Sequence, residues 1–169
     1  MRMFDLRALD HSSIIYETPT SDQTSTSLPL LRLAANKMDA NYLACFHHNS
    51  SSVQILDVRL PGSPVAELKA HSGLINGIVW APNSTSHICT VAEDAQVLVW
   101  DVRGQNQHAQ VAGSQAGRSK SAPVGLGTIR DPMLAYTAPS EVHQVAWSSV
   151  MTDWISVVCG RCVQAVRVQ

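Results

Sequence analysis

Cys159 and Cys162 form a Cys-x-x-Cys pair, whose spacing could support either zinc binding or thiol redox chemistry. A structural zinc site needs further ligands, and the sequence contains no second Cys-x-x-Cys pair. Gly160 and Arg161 stand where a turn between two strands is expected. The residues therefore predict a hairpin flanked by the two cysteines, with a zinc-binding or redox protein as the alternative.

His71, Thr90 and Asp94 have the side-chain types of a nucleophilic triad, and Trp100 follows Asp94 by six residues. No nucleophile-elbow motif accompanies them. The same four residues can instead form a structural cluster, in which the indole N–H of Trp100 finds an acceptor and the strands are fixed. The structural cluster is favoured, because the sequence also lacks a phosphate-binding loop, a dinucleotide fingerprint and a kinase signature. We therefore expect no enzyme activity, no catalytic residue, no metal and no cofactor.

An apolar-Asp-apolar-Arg ending occurs three times and indicates the elements that position these residues. The copies are Phe4-Asp5-Leu6-Arg7, Leu56-Asp57-Val58-Arg59 and Trp100-Asp101-Val102-Arg103, which begin 52 and 44 residues apart. Self-similarity at such a period indicates a repeat architecture. A Trp-Asp ending at a period of roughly 40–45 residues is typical of a four-stranded β-propeller blade.

Three units of short β-rich runs, separated by turn residues, align on these endings at 30–59, 74–103 and 142–168. A fourth run precedes each unit, at 14–17, 65–68 and 133–136. The sequence thus predicts an all-β fold, a partial β-propeller of about three four-stranded blades plus the end of a preceding one. The predicted divisions are the end of a truncated blade with the first strand of the next (1–17), a polar loop (18–27), a blade with the first strand of the next (28–68), a Trp-Asp repeat (69–103), a flexible low-complexity insert (104–130) and a last blade (131–169).

Composition and charge argue against several classes of partner. The chain is 45% apolar and 15% charged with a net charge of −1, so it lacks the basic footprint of nucleic-acid or membrane-surface binding. No apolar run approaches the roughly 18 residues that span a bilayer, and residues 1–15 lack the pattern of a signal peptide. Four cysteines are too few for a secreted disulfide scaffold. Together these features predict an intracellular protein.

Arg59 and Arg103 end two successive copies of the repeated motif and are candidate partner contacts. An Arg just past the end of a blade strand emerges at the rim of a propeller, where its planar fork of donors suits carboxylates or carbonyls of another protein. The alternative is an internal ion pair, for Arg103 with Asp101 or with a neighbouring loop. The sequence leaves both interpretations open.

Five runs of sequence, taken in order, resemble the carboxy-terminal half of one WD40 family. They lie at 10–17, 55–59, 76–82, 87–90 and 131–138, and the resemblance covers nearly the whole chain except 18–27 and 104–127. The family includes the animal WD-repeat protein that anchors dual-specificity tyrosine-regulated kinases, also described as a cullin-4-associated factor. It also includes the plant Transparent Testa Glabra proteins, which hold MYB and basic helix-loop-helix transcription regulators together.

This resemblance implies a non-catalytic seven-bladed scaffold of the cytoplasm and nucleus. It implies protein partners, namely these kinases, transcription regulators or the cullin-4 adaptor, with Arg103 as the adaptor contact and Arg59 as a second one. It also implies that His71, Thr90, Asp94 and Trp100 occupy the positions of a blade's hydrogen-bonded cluster. The chain departs from the family pattern at 47–52, where His-His-Asn-Ser-Ser-Ser replaces the usual Asp-Gly turn and removes the cluster Asp from that blade.

Overall fold

The computed structural model describes residues 1–18, 28–103 and 127–168, and these parts of the chain contain fourteen strands and no helix. Short runs of branched and aromatic residues, each bounded by turn residues, form most of these strands as the sequence predicts. In chain order the strands are β1 (Arg2–Asp5), β2 (Ala8–Ile14), β3 (Leu30–Ala35), β4 (Tyr42–His47), β5 (Val53–Asp57), β6 (Ala66–Leu68), β7 (Ile75–Trp80), β8 (His87–Ala92), β9 (Gln96–Asp101), β10 (Gly127–Ile129), β11 (Leu134–Thr137), β12 (Val142–Trp147), β13 (Trp154–Cys159) and β14 (Cys162–Arg167). None of the described segments is a helix that could cross a membrane.

The strands form four sheets that follow one another along the chain. A β1–β2 hairpin comes first, then a first sheet in the order β10-β6-β5-β4-β3, a middle sheet in the order β11-β9-β8-β7 and a third sheet in the order β12-β13-β14. Strand β7 of the middle sheet lies between β3 and β12, so the three sheets stack side by side through their first strands. The predicted all-β partial propeller is thereby confirmed.

The predicted division between units differs from the observed sheets at one strand of each unit. The runs at 65–68 and 133–136 were expected to begin the next unit. Instead β6 pairs antiparallel with β5, and β11 pairs antiparallel with β9, so each completes the sheet that precedes it. The reason is that β5 and β9 each have an edge of unpaired backbone groups, which the fourth strand satisfies, even though β10, which lies between β9 and β11 in the chain, joins the first sheet. In the β1–β2 hairpin the second strand likewise pairs with the first, and it ends at Ile14.

The predicted flexible insert at 104–130 extends too far at its carboxy-terminal end. Residues 127–129 form β10, which pairs in parallel with β6 at the outer edge of the first sheet, and Ile129 is buried. The rest of the insert, 104–126, and most of the predicted polar loop, 19–27, lie outside the described residues. The Gly-Thr-Ile sequence of this strand has one large apolar side chain, so it shows no alternation that could be recognised in sequence.

Two apolar cores lie between the sheets and hold them together. The first joins the first and middle sheets around Phe46 and Trp100, and the second joins the middle and third sheets around Val142 and Val157, all fully buried. Burial of each such side chain contributes on the order of 1.5–3 kcal/mol. Side chain to backbone hydrogen bonds cross both junctions as well, from Trp80 Nε1 to Ala34 O at 3.1 Å and from Asn76 Nδ2 to Val142 O at 2.9 Å.

The first sheet has apolar residues where the middle sheet has its polar cluster. By strand register, Cys45 of β4 corresponds to Thr90 of β8, and Leu56 of β5 corresponds to Trp100 of β9. Cys45 and Leu56 are buried against Tyr16 in a small core of their own. The departure at 47–52 therefore goes with apolar residues at two of the four cluster positions.

Candidate protein-interaction surface

His71, Thr90, Asp94 and Trp100 form one hydrogen-bonded chain inside the middle sheet. His71 Nδ1 lies 3.1 Å from both carboxylate oxygens of Asp94, and His71 Nε2 lies 2.8 Å from Thr90 Oγ1. Trp100 Nε1 donates to the same Thr90 oxygen at 2.8 Å. The structure thus brings together all four residues that the sequence assigned to the cluster.

The protonation of the cluster follows from its acceptors. Asp94 can only accept, so His71 Nδ1 carries a proton and donates it, which leaves Nε2 to accept from the Thr90 hydroxyl. Burial lowers the pKa of His71, against the opposing charge of Asp94, and so favours this neutral ring. Burial raises the pKa of Asp94. Hydrogen bonds from the backbone of Ser72 and Gln96, together with the proximity of His71, lower this pKa by more, so that its net shift is downward.

This arrangement favours a structural role over a nucleophilic one. The order Thr90, His71, Asp94 reproduces the connectivity of a triad. However, Thr90 is completely buried, and its oxygen is occupied by Trp100 as well as by His71. A substrate therefore has no path to the hydroxyl. The cluster instead ties the segment before β7 to β8 and β9.

Arg59 folds back onto the aspartate of its own motif. Its guanidinium forms a two-pronged ion pair with Asp57, with Nη2 at 2.6 Å from Oδ2 and Nε at 2.9 Å from Oδ1. Asp57 is buried, whereas the Arg59 side chain is 56% exposed. The hydrogen bond from Arg59 lowers the pKa of Asp57, and the same bond raises the pKa of Arg59. The guanidinium is therefore fixed in place with its outer side in solvent.

Arg103 reaches across to the first sheet instead. Its Nη2 lies 2.8 Å from Asp39 Oδ2, and its Nη1 donates to Thr85 Oγ1 at 3.1 Å. Asp101, the aspartate of its own motif, accepts the backbone N–H of Arg103 at 3.0 Å. The side chain is 47% exposed. The sequence left open an ion pair of Arg103 with Asp101 or with a neighbouring loop, and the observed ion pair is with Asp39 in the loop between β3 and β4.

Tyr42 brings the two arginines together. The guanidinium carbon of Arg59 lies 5.7 Å from the centre of the Tyr42 ring, and that of Arg103 lies 5.2 Å from it, which is within cation–π range. Hydrogen bonds from the backbone and side chain of Asn41 lower the pKa of Asp39, and the nearby arginines lower it further. We call Tyr42, Asp39, Arg59 and Arg103 the arginine rim. Sequence reasoning missed Tyr42 and Asp39.

Cys159 and Cys162 lie opposite each other at the closed end of a hairpin, as the sequence predicts. Gly160 makes the turn with a φ of 54°, a conformation that glycine adopts without strain. Cys159 is buried and Cys162 is exposed, and both are free thiols. Among the residues that the structure describes, no group of three or more His, Cys, Asp or Glu side chains could hold a metal ion. The zinc or redox alternative thus receives no support.

Comparison with known proteins agrees with these features. No protein-family profile matches the chain. The DDB1- and CUL4-associated factor 7 homolog of Dictyostelium discoideum is 43% identical over 168 residues, which are 99% of this chain and 44% of that protein. WD repeat-containing proteins of Schizosaccharomyces pombe and Saccharomyces cerevisiae are 34% and 31% identical over 99% of this chain, and over 46% and 40% of their own lengths. The chain therefore spans less than half the length of these relatives.

A solved structure agrees on the fold. The WD40 domain of Toxoplasma gondii coronin superposes with a TM-score of 0.62 at 20% sequence identity, over 80% of this chain and 31% of that one. At this identity the likeness concerns architecture alone. The stacked antiparallel sheets, the Trp-Asp ending of the middle sheet and the three relatives show that the chain belongs to the WD-repeat family.

Proposed function

We propose that this chain is a non-catalytic scaffold that binds the DDB1 adaptor of a cullin-4 ubiquitin ligase through the arginine rim. The observation that carries the proposal is the pairing of Arg59 and Arg103 on one tyrosine ring. Each arginine is about half-exposed and is the last residue of an Asp-x-Arg motif. The Dictyostelium relative is named for association with DDB1 and CUL4.

The chemistry of the arginine rim suits protein recognition. An Arg fork can donate two hydrogen bonds at once to carboxylate or carbonyl oxygens, and arginines are enriched among the residues that dominate binding energy. Asp57 and Asp39 hold the two guanidiniums before any partner arrives. Such preorganisation reduces the side-chain entropy that binding would otherwise lose.

The remaining surface would then present targets to the ligase. By family resemblance these targets are protein kinases of the dual-specificity tyrosine-regulated class and transcription regulators, and the working location is the cytoplasm and nucleus. A scaffold needs a rigid surface more than reactive groups. The internally satisfied cluster of His71, Thr90, Asp94 and Trp100 supplies rigidity of this kind.

A binding measurement with purified DDB1 and the immobilised full chain tests the proposal. The double variant Arg59→Glu with Arg103→Glu should weaken binding about a hundredfold, because it reverses two charges at the contact. Replacement of both by Lys should weaken it about tenfold, since the charge remains but the planar fork is lost.

Arg7→Glu provides the matched control. Arg7 ends the same motif and pairs with its own Asp5 at 2.8 Å, but it lies on the β1–β2 hairpin and its side chain is 90% exposed. Its reversal should leave DDB1 binding within about twofold of the unmodified chain. Absence of binding by the unmodified chain, or full binding by the Arg59/Arg103 double variant, would contradict the proposal.

A further inference from the structure

A pocket of about 390 Å³ lies between the middle and third sheets, at the end of the sheets where β7 leads into β8 and β12 leads into β13. Its walls are mainly apolar and include Val99, Met133, Leu134 and Trp147. Trp147 is partly buried, and its indole N–H donates to Thr152 O, a residue that also lines the pocket, at 2.7 Å. The size and lining match a site for one large side chain and its adjoining backbone.

One wall of this pocket, which we call the seam pocket, is polar. Ser84 Oγ lies 2.6 Å from His87 Nδ1, which leaves His87 Nε2 without a hydrogen-bond partner among the described residues. The Asn83 side chain lines the same wall. These groups could therefore bond to the peptide groups that flank an inserted side chain.

Among the residues that the structure describes, the lining contains no Asp, Glu, Lys or Arg. A charged side chain placed in the pocket would lose its hydration without gaining a counter-ion, which is unfavourable. The apolar walls favour an aliphatic or aromatic side chain instead, because its surface leaves water on insertion.

The loop between β7 and β8 connects the seam pocket to the arginine rim. Asn83, Ser84 and His87 line the pocket, whereas Thr85 of the same loop accepts a hydrogen bond from Arg103 and, through its backbone oxygen, one from Asn36 of the first sheet. A single polypeptide lying along this edge would contact both features.

We propose that the seam pocket binds one large aliphatic or aromatic side chain of a partner polypeptide that lies along the same edge as the arginine rim. The identity of that partner as DDB1 rests on the proposed function. The pocket's preference for an uncharged apolar side chain rests on its lining alone.

The preference can be tested without any protein partner. N-acetyl-leucinamide and N-acetyl-phenylalaninamide, titrated into the ¹⁵N-labelled chain, should shift the indole N–H signal of Trp147 in a saturable way. The indole signal of Trp154 is an internal control, because Trp154 does not line the pocket. N-acetyl-aspartamide should shift neither signal. If both apolar amides leave Trp147 unmoved, or move it no more than Trp154, the pocket proposal is overturned.

The shared edge is tested by substitution at the mouth of the pocket. Met133→Glu, at a residue that is 50% exposed, should weaken DDB1 binding about tenfold and abolish the Trp147 shift. Met3→Glu is the matched control, because Met3 is 51% exposed on β1 and lies outside this pocket. Thermal unfolding establishes that both variants are folded.

The two proposals fail in different ways. Loss of DDB1 binding in the Arg59/Arg103 double variant, with unchanged binding by Met133→Glu, would leave the arginine rim in place and exclude the pocket from this edge contact. Loss of binding in Met133→Glu alone would support the pocket and contradict the arginine rim. If the unmodified chain binds no DDB1, the proposed function fails, and the amide titration alone decides the pocket.

Discussion

The guanidinium of Arg103, just past the end of β9, lies 2.8 Å from the carboxylate of Asp39, which is 64 residues earlier in the chain and belongs to the neighbouring sheet. Exposed ion pairs of this kind contribute roughly 0–1 kcal/mol to stability. The pair therefore matters less for holding the sheets together than for fixing where the guanidinium points.

Asp39→Asn should separate these two effects. The free energy of unfolding in urea should change by less than about 1 kcal/mol. The affinity for DDB1 should fall about fivefold, because Arg103 loses its charged anchor and must be ordered on binding. Asp153→Asn is the control, since Asp153 pairs with Arg167 at 3.0 Å on the third sheet and should change neither quantity. An unchanged affinity for Asp39→Asn would argue against a preorganised Arg103.

Thr90→Val should be among the most costly changes of similar size in the chain. It removes the acceptor of Trp100 Nε1 and the partner of His71 Nε2, and both groups would remain buried without hydrogen bonds. We expect a loss of about 2–4 kcal/mol in the free energy of unfolding, measured in urea. Thr137→Val, which removes an exposed bond to Gln96, should cost less than about 0.5 kcal/mol. Equal losses for the two variants would contradict the structural role of the cluster.

The cluster could be predicted from sequence because its four residues match the positions at which the WD40 family that the chain resembles places a blade's hydrogen-bonded cluster. The arginine rim could be predicted only in part. Arg59 and Arg103 stand out by their motif, but the residues that orient them belong to another strand or another sheet, so Tyr42 and Asp39 carry no local signal.

It was harder to predict which sheet a strand joins than to predict that the strand exists. Alternating apolar residues indicate that β6 and β11 are strands, but the alternation does not say which edge they join. Pairing depends on which free edge lies within reach in the folded chain, as β10 shows by joining the first sheet although it follows β9. Strand β10 could not be predicted, because its three residues include only one buried apolar side chain, Ile129.

Stability should decrease as the pH falls below neutrality, partly through His71. Burial lowers the pKa of His71 in the folded chain below its ordinary value of about 6.5. The unfolded chain therefore binds a proton first, so this contribution to stability is complete above pH ~6.5 and is lost as the pH falls from there through the lower pKa of the folded chain. Burial lowers the pKa of His47 as well, and its effect has the same sign.

His71→Gln isolates the His71 contribution. Its urea unfolding free energy should be lower than that of the unmodified chain at pH 7.5, but it should change less between pH 7.5 and 5.5. For one proton the slope cannot exceed about 1.4 kcal/mol per pH unit. His143→Gln, at an exposed residue of β12, is the control and should retain the original slope. An unaltered slope in His71→Gln would show that other groups cause the pH dependence.

Thiol reactivity should distinguish the hairpin cysteines from each other. Three of the four cysteines are buried and Cys162 is exposed. Burial raises the pKa of Cys45 to about 11 and raises that of Cys89 as well, which suppresses the reactive thiolate. The native chain at pH 8 should therefore show one fast-reacting thiol toward an aromatic disulfide reagent, with the other three reacting only on unfolding. Cys162→Ser should remove the fast phase, whereas Cys159→Ser should retain it. If the native chain instead shows two fast-reacting thiols and either substitution removes both, or if zinc stays bound through dialysis, the result would support a zinc or redox site formed by Cys159 and Cys162.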